Sequence, residues 1–170
     1  MVGMQIRFSF PNPVDEVSAR LVATGVVLQG SAFVVTRSPI LLVTLAFGFA
    51  ARVGFGPRFS PLGRFVTQML RPRLSAKPKF VAGPPKRFAQ GVGLAFSSSA
   101  LLAYVLGAHT ASVVITAMLI GAASLEAFLA VCLGCIMFRG LMRVGVIPAS
   151  VCESCADISG HVVRLGSANS

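Results

Sequence analysis

Residues 111–132 read ASVVITAMLIGAASLEAFLAVC, an apolar run with a single charged side chain, Glu126. A helix rises 1.5 Å per residue and needs about 20 apolar residues to cross roughly 30 Å of hydrocarbon. The run has that length, and it is continuously apolar rather than alternating, so it predicts a membrane helix and not a lipid-facing barrel strand. Three more runs of the same kind lie upstream. VSARLVATGVVLQGSAFVVT occupies 17–36, PILLVTLAFGFAARVGF occupies 39–55, and FAQGVGLAFSSSALLAYVLGA occupies 88–108. The pattern predicts an all-α membrane protein in one domain over residues 1–170, with four transmembrane helices at about 17–36, 39–55, 88–108 and 111–135. The second run is short, and Arg52 is expected to snorkel from its end toward water.

Composition agrees. Apolar residues make up 55% of the 170, charged residues only 12%, and mean hydropathy is +0.81, too few charges to cover a water-facing surface. The formal net charge of +10 could suggest nucleic acid. The basic residues fall between apolar segments, so no nucleic-acid partner is expected, and membrane lipid is. The opening MVGMQIRFSFPNPVDEV carries prolines and acids where a cleavable signal needs an apolar stretch. The first segment is therefore expected to stay as an anchor.

Four crossings would put both termini and the central loop on one side. Of the fifteen Lys and Arg, only Arg37 falls on the other. Positive loops stay cytoplasmic, so a multi-pass protein of the cytoplasmic (inner) membrane with cytoplasmic termini is expected. Within the central loop, SPLGRFVTQMLRPRL (60–74) offers Ser60 as N-cap and Pro61 at the first helical position. Leu62, Phe65, Val66, Met69 and Leu70 share one face, opposite Arg64, Gln68 and Arg71. This predicts an amphipathic helix at about 61–71, lying on anionic lipid or packed on other cytoplasmic parts. Small residues (Ala19 and Ala23, Gly91 and Ala95, Ala117 and Gly121) mark expected close approaches between helices, and Gln29 and Ser97 to Ser99 can bond across them.

All four cysteines lie in CLGCIMFRGLMRVGVIPASVCESC, residues 132–155, as two C-x-x-C pairs. Cys132 and Cys135 would sit at the carbonyl end of the fourth helix, where the dipole and apolar surroundings disfavour a thiolate. Cys152 follows Ser150, which with Glu153 reads as a capping box opening a short C-terminal helix in the dithiol segment 148–160. In that first turn a thiol pKa falls, so Cys152 is the expected nucleophile and Cys155 its resolving partner. The spacing equally fits a four-cysteine zinc site of Cys132, Cys135, Cys152 and Cys155. Gly134 would ease the distortion that a disulfide within the first pair requires.

A carboxylate inside the membrane is costly and marks a functional or pairing role. Glu126 could bond Gln29 or a serine, or meet Arg139 or Arg143. On one continuous helix Cys132 would lie about 120° round from it, out of contact. His109 reads as a polar loop residue on the outer side.

The segments SPLGRFVTQMLRPRL, PPKRFAQGVGLAF, CLGC and VCESCADI, in this order, resemble the bacterial membrane proteins grouped as domain of unknown function 4395, over residues 14–158. The resemblance implies a four-helix membrane domain without an assigned activity. It also implies neighbours of thioredoxin-like and sulfurtransferase type. The expectation is thiol–disulfide or sulfur exchange through the dithiols, with a cytosolic partner of either type. The alternative is a non-enzymatic scaffold or transporter-like module held by zinc. No flavin, haem or nucleotide cofactor is expected, since no phosphate-cradling glycine loop occurs. Transport of a small sulfur anion would find only Glu126 near the midplane, a poor host for an anion.

Overall fold

The computed structural model describes residues 14–56, 60–73 and 80–148. A two-residue strand β1 (Val14–Asp15) leads into helix α1 (Glu16–Thr36), then α2 (Pro39–Phe55) and α3 (Pro61–Phe65). The α3 rod continues as a π-helical turn (Val66–Leu70) and a 3-10 turn (Arg71–Arg73). Strand β2 (Phe80–Val81), α4 (Gly83–Val105), α5 (His109–Leu129) and α6 (Leu133–Arg143) complete the order. The C-terminal helix expected at 148–160, with Cys152 and Cys155, lies outside the described residues.

Three of these helices, α1, α4 and α5, are long and apolar enough to cross a membrane, and α2 is a shorter apolar helix of 17 residues. α1 packs mainly on α5, α2 on α4, and α4 on α5. The interior has two apolar clusters, Val26, Leu45, Phe49 and Leu119 in one and Phe33, Leu42 and Ala100 in the other. The outside is apolar as well, with Leu28, Ile40, Phe47, Leu102, Met118 and Phe128 exposed. Helices apolar all round suit lipid rather than water. The chain is a multi-pass helical membrane protein.

Local chemistry fixes the helix ends. Arg37 takes a left-handed conformation (φ 56°) and its N–H closes on Phe33 O. Ser38 and Pro39 then open α2. On the same end of the bundle, Tyr104 donates to Arg37 O at 2.9 Å, and the His109 ring stands edge-on to Tyr104 at 4.8 Å. α4 starts at Gly83, five residues before the expected 88. Pro84 and Pro85 lie in its first turn, where a helix start leaves amides unused and a missing N–H costs nothing. It ends at Val105 rather than 108, as Gly107 turns to φ 81°.

At the opposite end, Asp15 caps α1 through Val17 N and Ser18 Oγ, and also accepts from Arg71 Nε at 2.6 Å. Antiparallel pairing of β1 with β2 ties the same segment to the start of α4. Burial raises the Asp15 carboxyl, but the Arg71 and Ser18 hydrogen bonds outweigh it and hold the group below its ordinary value. Leu62 packs onto Gly25 of α1 and Val66 is buried, while Phe65 and Met69 stay exposed. The loop helix thus packs on α1 through one edge of its apolar face.

Three expectations change. Arg52 does not snorkel: it is 3% exposed, donates from Nε to Gln90 Oε1 at 2.8 Å and from Nη1 to Ser60 Oγ at 3.3 Å. A buried guanidinium needs such partners, and α4 and the start of α3 supply them. The tight helix approaches occur at Gly25, Gly30, Gly93 and Gly134, whereas Gly91 and Gly121 face open space. Finally, α5 stops at Leu129, short of 135, and the chain restarts as a separate helix, α6.

Candidate functional site

The break after α5 decides the chemistry of the first dithiol. Ala130 adopts a left-handed conformation (φ 56°), which costs a residue with a Cβ about 1–2 kcal/mol. The end is held by Arg20, which reaches from α1 to donate through Nε to Ala127 O at 3.0 Å and through Nη2 to Phe128 O at 3.2 Å. Those last-turn carbonyls have no partner within the helix, so a cation there is doubly favourable. Two residues later Cys132, in an extended conformation, becomes the N-cap of α6, and its Sγ accepts the Cys135 N–H at 3.3 Å. Cys132 is therefore not at a carbonyl end, as expected from an unbroken helix. It sits at an amide end, where the dipole favours a thiolate. The 120° argument that separated it from Glu126 also lapses, because the two no longer share a helix.

Helix α6 lies on the first half of α4. Gly134 makes the approach possible, since a Cβ there would stand 2.5 Å from both Cα and Cβ of Ala89. Phe138 is buried and its ring meets Phe88 at 5.7 Å between centroids. This docking carries the dithiol to Lys86, one turn earlier on α4. Lys86 Nζ pairs with Glu126 Oε1 of α5 at 2.5 Å, both side chains being largely buried. Among the described residues, neither a serine nor Gln29 takes the Glu126 carboxylate. Gln29 instead donates to Leu41 O and Thr44 Oγ1 of α2, and Ser97 bonds back to Gly93 O of its own helix. Lys86 is the residue that sequence reasoning missed, having counted it only as one more positive charge. The available signal was that the one acid within an apolar segment needs a cation, and Lys86 flanks another such segment.

The two sulfurs are in contact, with the Cys135 thiol donating to Cys132 Sγ across 2.6 Å. Cys132 is buried and Cys135 partly so. That hydrogen bond lowers the Cys132 thiol below its ordinary value. Burial and the Glu126 charge push the other way, and the Lys86 ammonium and the Cys135 amide help it down. Cys135 is driven up, because its proton is the one held between the sulfurs. The pair is thus polarised, with Cys132 the more acidic thiol and Cys135 the one that holds its proton.

Cys132 lies between two cavities. One, of about 420 Å³, is lined by Glu16, Lys86, Arg139, Cys132 and Cys135 among others, and is open at the charged end of the bundle. The second, of about 230 Å³, is mostly apolar and runs between α1, α4 and α5, with Cys132, Glu126 and Gln90 on its wall. Among the described residues no group of three His, Cys, Asp or Glu side chains could hold a metal ion. The four-cysteine arrangement would need Cys152 and Cys155, which lie outside the described residues.

The chain belongs to the family described as Domain of unknown function (DUF4395), which matches over residues 14–143. The match takes in Cys132 and Cys135 and ends before Cys152 and Cys155. No curated protein and no solved structure matches the chain.

Proposed function

We propose that this protein is a thiol relay of the cytoplasmic membrane, in which Cys132 and Cys135 exchange electron pairs or sulfur with cytosolic thiol proteins. In this reading α1, α2, α4 and α5 all cross the bilayer, with both termini and the α2–α4 connection cytoplasmic. α2 would span only about 25 Å, and the Arg52 cluster with Gln90 and Ser60 would mark its cytoplasmic end. The exposed Phe65 and Met69 of the loop helix would then rest in the headgroup layer.

The observation that carries the reading is the polarised pair: two sulfurs in contact at a helix N-cap, with the Lys86 ammonium beside them. A thiolate nucleophile with an adjacent protonated thiol is what disulfide exchange needs. Zinc is the second reading, supported by the spacing of the two C-x-x-C pairs. A tetrahedral zinc with Zn–S near 2.3 Å sets its thiolates about 3.8 Å apart, so the two sulfurs would part from their 2.6 Å contact to hold it, as they would close to about 2.05 Å for a disulfide.

In the relay, Cys152 attacks a disulfide or persulfide of a thioredoxin-like or sulfurtransferase partner, and Cys155 resolves it. The electron pair then passes between the C-terminal pair and Cys132–Cys135. Two variants test this. Cys155→Ser should accumulate a mixed disulfide between Cys152 and a cytosolic partner, and Cys135→Ser an internal disulfide between Cys132 and Cys152. Absence of both species, with near one equivalent of tightly held zinc in protein purified without oxygen, would replace the relay with the metal clasp.

A further inference from the structure

The relay needs an outlet for the electron pair, and the apolar cavity beside Cys132 has the chemistry of one. From its lining we infer that this cavity binds the head ring of a membrane quinone, which oxidises the Cys132–Cys135 dithiol. The inference rests on the thiol-relay reading and names its electron acceptor.

Three observations carry it. The cavity, about 230 Å³, is larger than the apolar cavities of about 150 Å³ known to take up benzene. Its wall includes Met118, an exposed side chain of α5, so it communicates with the apolar exterior along which an isoprenoid tail would leave. Its polar lining consists of Cys132, Glu126 and Gln90. Gln90 is oriented by Arg52, whose Nε–H fixes the amide oxygen at 2.8 Å. That leaves the Gln90 NH2 as a donor with no partner given to it by the described residues, suited to a quinone carbonyl. An acyl chain would fill the apolar part but has no use for a directed amide donor, an acid and a thiolate. A quinone uses all three.

The step balances without a further reactant. Cys132 thiolate adds to a ring carbon, forming a C–S bond. Cys135 sulfur attacks Cys132 Sγ, the S–S bond forms and the C–S bond breaks, leaving the electron pair on the ring. The dithiol loses two electrons and two protons, one released as Cys132 ionises to the thiolate and one from Cys135 as it attacks, and the ring oxygens take up two protons to give the quinol. The Lys86–Glu126 pair, beside the sulfurs and with Glu126 on the cavity wall, is placed to pass the proton. The charged cavity on the opposite side of Cys132 stays free for the incoming thiol.

The test uses the full chain, reduced and held in mild detergent, with decylubiquinone as acceptor and diamide as a small water-soluble oxidant. Formation of the Cys132–Cys135 disulfide is mapped by alkylation and mass spectrometry. The expected result is one quinol formed per disulfide. Ala122→Phe, which fills the cavity, should lower the ratio of quinone to diamide rates at least tenfold, and Gln90→Leu should raise the KM for the quinone. If diamide closes the disulfide but the quinone stays oxidised, the inference fails and the relay survives. An unchanged rate ratio in Ala122→Phe also overturns it. If neither oxidant joins Cys132 to Cys135, the relay itself falls and the quinone site with it.

Discussion

Replacing Gly134 by alanine should release the dithiol from its setting. The new Cβ would lie 2.5 Å from Cα and Cβ of Ala89 and 3.3 Å from its nitrogen, and ordinary contact begins near 3.4 Å. The obstacle is backbone, so no rotamer change relieves it, and α6 must retreat from α4 by about 1 Å. Overpacking of this kind costs about 1–3 kcal/mol. The Phe88–Phe138 ring pair, worth about 0.5–1.5 kcal/mol, would loosen in the same movement. Together these come to about 1.5–4.5 kcal/mol, and each 1.4 kcal/mol is tenfold in an equilibrium, so the undocked population should rise by at least roughly tenfold. A bulky maleimide that reaches buried Cys132 only in the undocked state reports this as a faster labelling rate. Gly140→Ala is the control on the same helix, because a Cβ there meets nothing within 4 Å. Wild-type labelling in Gly134→Ala, or equal acceleration in both variants, would refute the docking argument.

Breaking the buried ion pair from one side, by Lys86→Met or Glu126→Leu, should cost about 3–5 kcal/mol in thermal or denaturant unfolding. The double replacement should cost less than the sum, and additive losses would argue against the pair. In alkylation as a function of pH, Cys132 should react first and with a midpoint below that of an ordinary thiol, and Cys135 should lag. Lys86→Met should move the Cys132 midpoint up, whereas removal of the Glu126 charge should move it down. Equal reactivity of the two thiols would contradict the polarised pair. Asp15 is held below its ordinary value, so its contribution to stability is present above the unfolded pKa and is lost as pH falls through the folded one. Asp15→Asn should therefore flatten the acid limb of the stability profile, and an unchanged limb would remove the Asp15–Arg71 tie from the account.

Much of the fold was legible because long apolar runs carry their own length scale. The break between the runs ending at Thr36 and opening at Pro39, and the opening of α3 at Ser60-Pro61, were equally plain, since proline and serine have positional meaning at helix starts. The break at Ala130 was not legible. Nothing in LEAFLAVC (125–132) announces a stop, because no glycine or proline stands there, and the left-handed turn depends on Arg20, more than a hundred residues away. That one break moved the first dithiol from an adverse helix end to a favourable one. The Gly134–Ala89 approach and the Lys86–Glu126 pair were hidden for the same reason: each belongs to two helices distant in sequence. Cys132 and Cys135 were visible as a pair, but their environment was not. The polarity of the pair comes from the tertiary contacts.

The most direct measurement of the central claim is a redox titration of the purified full chain, with the thiol state of each cysteine read by differential alkylation and mass spectrometry. The account predicts that Cys132 and Cys135 close together as one reversible two-electron step, with an intramolecular disulfide between them and no metal released. Four cysteines that stay protected until a chelator removes zinc, or a Cys132 that never pairs with Cys135, would contradict it.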